Sequence, residues 1–324
     1  MSSRPRLLLT RKLPPNVEAR AAVHYEVTAN PEDRLHTETS LIASAAGQDA
    51  LLCCSTEPLT AAVIDALPAS LRIISTFSVG FEHIDIEAAE KRGITVTNTP
   101  DVVTNATADA AMLCLLGAAR RGSEADRLVR SGGWEKWAST LMLGVHVTGK
   151  RLGIVGMGRI GRATAQRARG FDMTIHYYNR TQLDPALEQG ATYHRTLGSL
   201  LEVSDFLSIN APASPETYRF LNRERIARLP DGAVVVNSAR GNLIDDEALI
   251  EALRSGKVAA AGLDVYDGEP NLNPGYLELE NTFLLPHLGS ATHETRDAMG
   301  FMYLDNIDAF FAGRACPNPV TAPA

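Results

Sequence analysis

Leu152-Gly153-Ile154-Val155-Gly156-Met157-Gly158-Arg159-Ile160-Gly161 is the stretch whose reading decides the fold. A short apolar run, LGIV, enters a G-x-G-x-x-G turn, and the residues that follow, Arg159–Arg169, have helical apolar spacing. Strand, glycine turn and helix in that order form the first half of a β-α-β unit, so the sheet is expected to be parallel. In such a turn Gly156 permits the tight bend, Gly158 lets a pyrophosphate approach the backbone, and Gly161 lets the helix pack on the strand. Met157, Arg159 and Ile160 complete the loop, whose helix N-terminus offers N–H groups to phosphate. The next strand, Thr174–Tyr178, should end in Asp or Glu if a ribose 2′-hydroxyl is to be bound. It ends instead in Asn179-Arg180-Thr181. Arg180 can pair with a 2′-phosphate and Asn179 and Thr181 can hydrogen-bond to it, so NADP(H) is expected in preference to NAD(H).

Working outward, short β-rich runs alternate with helical segments from end to end. The strands are expected at Leu7–Thr10, Ala50–Cys53, Ile73–Thr76, Thr95–Thr97, Leu152–Val155, Thr174–Tyr178, Phe206–Ile209, Ala233–Asn237, Ala260–Val265 and Thr282–Leu285. Many are continuous apolar runs, the pattern of a parallel sheet covered on both faces. Helical spacing recurs at Asp85–Lys91 and Asp245–Arg254. Two long helices, about Thr107 to Ser131 and about Thr292 to Ala312, bracket a central segment. The reading is an α/β protein of two doubly wound parallel-sheet domains, one inserted in the other: residues 99–288 form the dinucleotide domain, and residues 1–98 with 289–324 form the second.

The chain has 324 residues, enough for two domains, and its 45% hydrophobic content supplies real cores. Lys and Arg number 31 against 38 Asp and Glu, a net charge of −7 that disfavours a nucleic-acid binder. Locally the balance reverses: between Arg151 and Thr181 stand Arg151, Arg159, Arg162, Arg167, Arg169 and Arg180 against Asp172 alone. Cys53, Cys54, Cys114 and Cys316 are too scattered for a disulfide framework or metal cluster and read as buried small hydrophobes in a reducing compartment. No metal is expected. The start MSSRPRLLLTRKLPP lacks the apolar core of a signal peptide, and no run is long enough to span a membrane. A cytoplasmic protein is expected.

Three more strands end in polar residues, and ligands of open α/β sheets lie at those ends. The run Val234-Val235-Val236-Asn237 leads into Ser238-Ala239-Arg240-Gly241. Ala260–Val265 leads to Tyr266-Asp267-Gly268-Glu269-Pro270, and Phe283-Leu284-Leu285 to Pro286-His287. A guanidinium, a carboxylate and an imidazole together suit acid–base chemistry on an anionic substrate beside a nicotinamide.

The ordered motifs SVGFEHID (Ser78–Asp85), NTPDVVTNATAD (Asn98–Asp109), VGMGRIG, NSARG, GLDVYDGEP and PHLGSATHETR resemble the D-isomer-specific 2-hydroxyacid dehydrogenase family over nearly the whole chain. Within it the resemblance is to NADPH-using glyoxylate/hydroxypyruvate and 2-ketogluconate reductases. It implies a Rossmann-type nucleotide domain inserted into a flavodoxin-like domain, residues 1–98 with 289–324, which it makes the substrate-binding domain. It also implies that Arg240, Glu269 and His287 are catalytic: His287 as general acid, Glu269 holding the ring and favouring the imidazolium, Arg240 gripping the substrate carboxylate and polarising the carbonyl. Val79 and Gly80 match the loop whose N–H groups bind the substrate carboxylate. Ser290 and Arg296 are further substrate-side candidates. Thr107, Asn210-Ala211-Pro212, Ser238, Ala239, Asp264, His287 and Gly289 would line the cofactor, with Asp264 beside the nicotinamide carboxamide.

The chain departs from relatives in places. Glu82 stands where many have Asp, Asn210 where many NAD-using ones have His, and Ser139 replaces a common Pro in the loop Gly133–Ser139. In relatives that loop contributes to a homodimer and can reach the neighbouring active site, which makes Trp137 a candidate substrate contact; Leu141-Met142-Leu143 would make the rim more apolar. The resemblance implies reduction of a small 2-keto acid, glyoxylate or hydroxypyruvate. 2-Ketogluconate or aromatic 2-keto acid reduction is an alternative, as is a nicotinamide-sensing, corepressor-like binding protein.

Overall fold

The computed structural model describes residues 4–322. Among them thirteen strands follow one another: β1 (Arg6–Leu9), β2 (Glu26–Thr28), β3 (Ala50–Cys53), β4 (Ile73–Thr76), β5 (Thr95–Thr97), β6 (Arg151–Val155), β7 (Thr174–Tyr178), β8 (Thr192–Tyr193), β9 (Phe206–Ile209), β10 (Ala233–Asn237), β11 (Val258–Leu263), β12 (Thr282–Leu284) and β13 (Pro319–Val320). The chain divides into two units, Met1–Val103 with Ala291–Ala324, and Thr104–Ser290. The dividing lines fall a few residues beyond Asn98 and Leu288, because Asn98 and Thr99 still hydrogen-bond to Asn318 and Ser78 of the first unit.

In the first unit the strand order is β13-β5-β4-β3-β1-β2, parallel except for β13. Read from β2, the parallel part runs 2-1-3-4-5, the flavodoxin-like doubly wound order. In the second unit the order is β12-β11-β10-β9-β6-β7-β8, all parallel. Counted from β6 as the first strand, this is 3-2-1-4-5-6-7, a Rossmann-type sheet whose order reverses between β6 and β9. Central strands such as β9, β10 and β3 are buried at every position, so the continuous apolar runs follow from helices covering both faces.

Register does the positioning. Val155 is level with Tyr178 and Ile209, Ile209 with Asn237, Asn237 with Leu263 and Leu263 with Leu284. The next residues along, Gly156, Asn179, Asn210, Ser238, Asp264 and Leu285, therefore leave the sheet side by side on its carboxyl edge. In the first unit Thr10, Cys53, Thr76 and Asn98 likewise follow one level row, Leu9, Leu52, Ser75 and Thr97.

Four expectations need correction. The long helix of Thr107–Ser131 is two helices, Thr104–Ala119 and Gly122–Arg130, with Arg121 left-handed at φ 54° between them. The Ala119 carbonyl, needed to continue the first helix, accepts from the Val145 N–H at 2.8 Å instead. Strand β11 begins at Val258 and stops at Leu263, before Val265. Strands β2, β8 and β13, two or three residues each at or beside sheet edges, were not expected from the sequence. Of the cysteines, only Cys53 and Cys114 are fully buried; Cys54 and Cys316 are partly so, and all four are free thiols. Among the described residues no helix is long and apolar enough to cross a membrane.

Candidate active site

In the second unit the glycine turn leaves β6 at the point where the strand order reverses. Gly156 has φ 91°, and a Cβ there would lie 2.7 Å from the Ala211 backbone nitrogen. Both facts require glycine. A Cβ on Gly161 would meet the Gly156 carbonyl at 2.3 Å, so the helix Arg159–Arg169 can start this close to the turn only with glycine there. Around Gly158 an added Cβ meets nothing within 4 Å: this glycine faces open space, as a position approached by a ligand should. Gly158 caps the helix with no side-chain hydrogen bond, leaving first-turn N–H groups for an anion.

The polar residues after β7 and β9 complete this end. Asn179 uses its Oδ1 to accept the Met157 N–H at 2.7 Å, which ties the turn to β7 and leaves Nδ2 as its remaining donor group. Arg180 and Thr181 are exposed. The Glu216 carboxyl is held below its usual value, first by the Ser214 hydroxyl, then by its own N–H, with the Arg180 charge a smaller influence. Asn210 donates its N–H to Val155 at 2.8 Å and its Nδ2 to Ser208, while its buried Oδ1 has no partner. The Ser238 hydroxyl after β10 is likewise buried without one. Two orphaned polar atoms beside an open glycine turn fit a polar ligand laid along the carboxyl edge. Ala211 is buried, Pro212 exposed and Ala239 half-buried. Arg159 and Ile160 occupy the first helical turn.

Three loops bring the chemistry together. After β10 the buried Asn237 staples its own loop: its Oδ1 accepts from Ala239 N–H at 3.0 Å and its Nδ2 donates to the Arg240 carbonyl at 2.8 Å. Gly241 follows, and a Cβ there would overlap the Tyr266 backbone at 1.8 Å, so the Arg240 loop lies directly on the loop that carries Glu269. Tyr266 donates its hydroxyl towards the Leu263 and Leu285 carbonyls at 3.0 and 2.9 Å, joining the ends of β11 and β12. Glu269 Oε2 accepts the Tyr266 N–H at 3.1 Å, and Oε1 meets His287 Nδ1 at 2.5 Å. Burial pushes the Glu269 carboxyl upward, but the hydrogen bond and charge of His287, the Tyr266 N–H and the Arg240 charge outweigh it. The net position is below the usual value, so Glu269 is ionised at neutral pH.

His287 has φ 55°, a conformation that costs a non-glycine residue about 1–2 kcal/mol. Asp264 offsets this. Its carbonyl accepts the His287 N–H at 2.9 Å, Oδ1 the Leu288 N–H at 2.6 Å and Oδ2 the Gly289 N–H at 2.8 Å. Asp264 is 1% exposed, and burial, exceeding the pull of those donors and of His287, raises its carboxyl. The residue expected beside a carboxamide is thus foremost the clamp of the histidine loop. Thr107, buried on the helix Thr104–Ala119, joins this group, since a Cβ on Gly289 would lie 3.5 Å from its Oγ1 and 3.3 Å from Asp264 Oδ2. Ser290, half-buried, ends the unit. Trp137 is 77% exposed, and Trp134, Leu141 and Leu143 of the same segment are exposed too.

Val79, Gly80 and Arg296 belong to the first unit. Arg296 stacks over the Phe77 ring at 5.7 Å, and burial lowers its guanidinium. Val79 is exposed and Gly80 half-buried, and among the described residues neither N–H finds an acceptor. Asn237, Tyr266 and the clamping role of Asp264 were missed in the sequence. The one available signal was polar Asn237 ending an otherwise apolar strand.

The chain is similar to known proteins. The family profile described as D-isomer specific 2-hydroxyacid dehydrogenase, NAD binding domain, matches residues 112–289. A glycerate dehydrogenase of Hyphomicrobium methylovorum is 46% identical over 313 residues, 96% of this chain and 97% of that protein. A glyoxylate reductase of Thermococcus kodakarensis is 43% identical over 98% of this chain and 96% of its own length. The crystal structure of an NADPH-dependent glyoxylate/hydroxypyruvate reductase from Sinorhizobium meliloti, in complex with NADP and malonate, superposes with a TM-score of 0.88 at 34% identity, over 99% of this chain and 100% of that one.

Proposed function

This chain belongs to the D-isomer-specific 2-hydroxyacid dehydrogenase family, and on that premise we propose that it reduces a small 2-keto acid, glyoxylate or hydroxypyruvate, to the 2-hydroxy acid with NADPH. The observation that carries the reading is the His287–Glu269 pair at 2.5 Å with Arg240 on the adjoining loop. The nicotinamide, when bound, supplies a hydride to the keto carbon. Glu269, ionised, fixes the proton of His287 on Nδ1 and stabilises the imidazolium, so Nε2 can give its proton to the keto oxygen and the ring returns to neutral. Arg240 pairs with the substrate carboxylate and stabilises charge developing on the oxygen. In the first unit, Val79 and Gly80 carry the N–H groups that the family resemblance assigns to a substrate carboxylate. On the dinucleotide side, Gly158 and the helix N-terminus would take the pyrophosphate, Ser238 and Asn210 would use their orphaned oxygens, and Thr107, Asp264 and Gly289 would close the nicotinamide end.

NADPH is favoured over NADH by Arg180 and Thr181 standing exposed after β7, with no carboxylate at its end to repel a 2′-phosphate. The exposed apolar side chains of Leu113, Val129, Trp134, Trp137 and Leu143 favour a homodimer through the second unit. A panel of glyoxylate, hydroxypyruvate, 2-ketogluconate, pyruvate and phenylpyruvate, each with NADPH and NADH, tests the reading. Glyoxylate or hydroxypyruvate with NADPH should give the highest kcat/KM, and Arg180→Ser should remove most of the preference for NADPH. Equal or better rates with NADH would refute the cofactor assignment. Absence of turnover with every acid would favour a nicotinamide-sensing binding protein instead.

A further inference from the structure

Resting on the reading that Val79 and Gly80 hold the substrate carboxylate, we propose that Asn98 is the positioning residue for that hold: it grips the Val79 carbonyl and thereby aims the Gly80 N–H. The argument starts from peptide geometry. In a trans peptide the C=O and the N–H of the next residue point in opposite directions, so fixing the carbonyl aims the amide. Glu269–Pro270 holds the only cis bond among the described residues, so the bonds around Val79 and Gly80 are trans.

Each carbonyl in this loop is fixed. The Ser78 carbonyl accepts the Thr99 N–H at 2.9 Å, which turns the Val79 N–H away from Thr99. The Val79 carbonyl accepts Asn98 Nδ2 at 2.8 Å, which turns the Gly80 N–H away from Asn98. Asn98 and Thr99 are consecutive residues leaving β5, so both amides are aimed away from one segment. The Gly80 carbonyl accepts the Ser78 hydroxyl at 2.6 Å and closes the turn.

The two donors are fixed in their own right. Asn98 leaves the sheet level with Thr76, and its backbone is bound at both ends: its N–H donates to the Asn318 carbonyl at 3.3 Å and its carbonyl accepts Asn306 Nδ2 at 3.4 Å. Asn306, fully buried, also accepts the Asn318 N–H at 2.8 Å. On the other side Ser78 spends its proton on Gly80, so at 2.7 Å Thr76 must be the donor to Ser78 Oγ. Thr76 Oγ1 then accepts, and His83 Nε2, 3.0 Å away, is its donor. The chain His83 to Thr76 to Ser78 to Gly80 runs in one direction and commits the Ser78 hydroxyl proton to the Gly80 carbonyl. Without the Asn98 grip the Val79–Gly80 peptide could rotate and spend its N–H elsewhere.

The experiment compares glyoxylate with its uncharged ethyl ester in the full-length wild type, Asn98→Ala and the near-isosteric Asn98→Asp, which replaces the donor by an acceptor. Asn98→Ala should raise KM for glyoxylate about tenfold, the worth of a hydrogen bond to a charged group. The kcat, the KM for NADPH, the melting temperature and the rate on the ester should stay within about twofold or a few degrees of wild type. Asn98→Asp should be at least as damaging to the KM for glyoxylate. Ser78→Ala, which frees the Gly80 carbonyl and the Thr76 hydroxyl but leaves the Val79 carbonyl held, should shift the acid-to-ester ratio in the same direction by less, and gives the reading if the Asn98 variants do not fold. An unchanged acid-to-ester ratio in folded Asn98→Ala, or an equal loss on both substrates, overturns the role of Asn98. A wild type that does not distinguish the acid from the ester overturns the carboxylate hold itself, and the two failures are thereby distinct.

Discussion

The protein presents two sets of backbone N–H groups suited to anions, one in each unit, and they are built by opposite means. In the second unit the turn Gly156–Gly161 aims its amides by helix geometry: glycines remove side chains, and the helix Arg159–Arg169 supplies a field and free donors. In the first unit no helix starts at Ser78–Gly80, the next one beginning only at Ile86; Asn98 and Thr99 hold two of its carbonyls from outside the loop and Ser78 holds the third from within. A hold made by glycines and a helix is written in local sequence. One made by remote side chains is written in register, and no local spacing declares it. The first would suit a dinucleotide's pyrophosphate; the second would suit the small carboxylate proposed for it.

The largest predicted effect falls on the proton transfer proposed for His287. Removing the imidazole with His287→Ala should lower kcat by about 10²–10⁴ while leaving NADPH binding intact, as measured by fluorescence titration and steady-state kinetics. Near-normal turnover would detach both holds from the assigned chemistry. The next prediction contrasts two glycines of the same turn. Gly158→Ala meets no atom within 4 Å and its φ of −74° suits alanine, so folding should be unaffected while the KM for NADPH rises about 10–100-fold as the methyl enters the phosphate space. Gly156→Ala combines φ 91° with a 2.7 Å approach to Ala211, and should instead lower stability by roughly 1–3 kcal/mol. Equal effects of the two on melting temperature and on NADPH affinity would show that the turn is not divided between a structural and a binding glycine.

Much of the fold was legible because buried parallel strands are largely apolar runs: β3, β4, β9 and β10 occupy the residues expected of them, as does the less buried β7 after the glycine turn. What stayed hidden depends on tertiary partners. The short strands β2, β8 and β13 carry too few residues for a period, and the break at Arg121 exists because Val145 takes the Ala119 carbonyl. At the site, the glycine turn was readable from its own spacing, whereas Arg240, Glu269 and His287 each look like ordinary polar residues after strands and gained their roles from the resemblance. Asp264 and Asn98 illustrate the remainder. Their work is to accept from or donate to backbone far away in sequence, at Leu288 and Gly289 or at Val79, and only the level rows of the two sheets bring those groups together.

The smallest predicted effect separates the two regions by pH. At the edge of the dinucleotide sheet His176 Nδ1 and His194 Nε2 stand 3.0 Å apart across β7 and the end of β8, with the Tyr193 hydroxyl reaching the Asn179 carbonyl next to them. Burial first, then the charges of His194 and Arg151, lower His176 against a smaller opposing pull from Asp205; burial alone lowers His194. Well above about pH 6.5 both rings are neutral whether the chain is folded or not, and the pair costs nothing. As pH falls through that value the unfolded chain takes up protons that the folded pair resists, so stability declines until the pH passes below the folded values. Asp205, lowered chiefly by its hydrogen bond from Arg151, stays ionised throughout this range and does not add to the slope. Melting curves between pH 7.5 and 5.0 should therefore show the wild type losing about 1–2 °C more than His194→Gln, which cannot be protonated. The KM for NADPH should rise over the same interval in both proteins as the 2′-phosphate takes up a proton, and more in the wild type, because β8 supports the strand that ends in Asn179 and Arg180. Parallel curves for the two proteins would mean that the histidine pair is open enough to solvent to titrate freely, and the dinucleotide side would then share no pH weakness of its own.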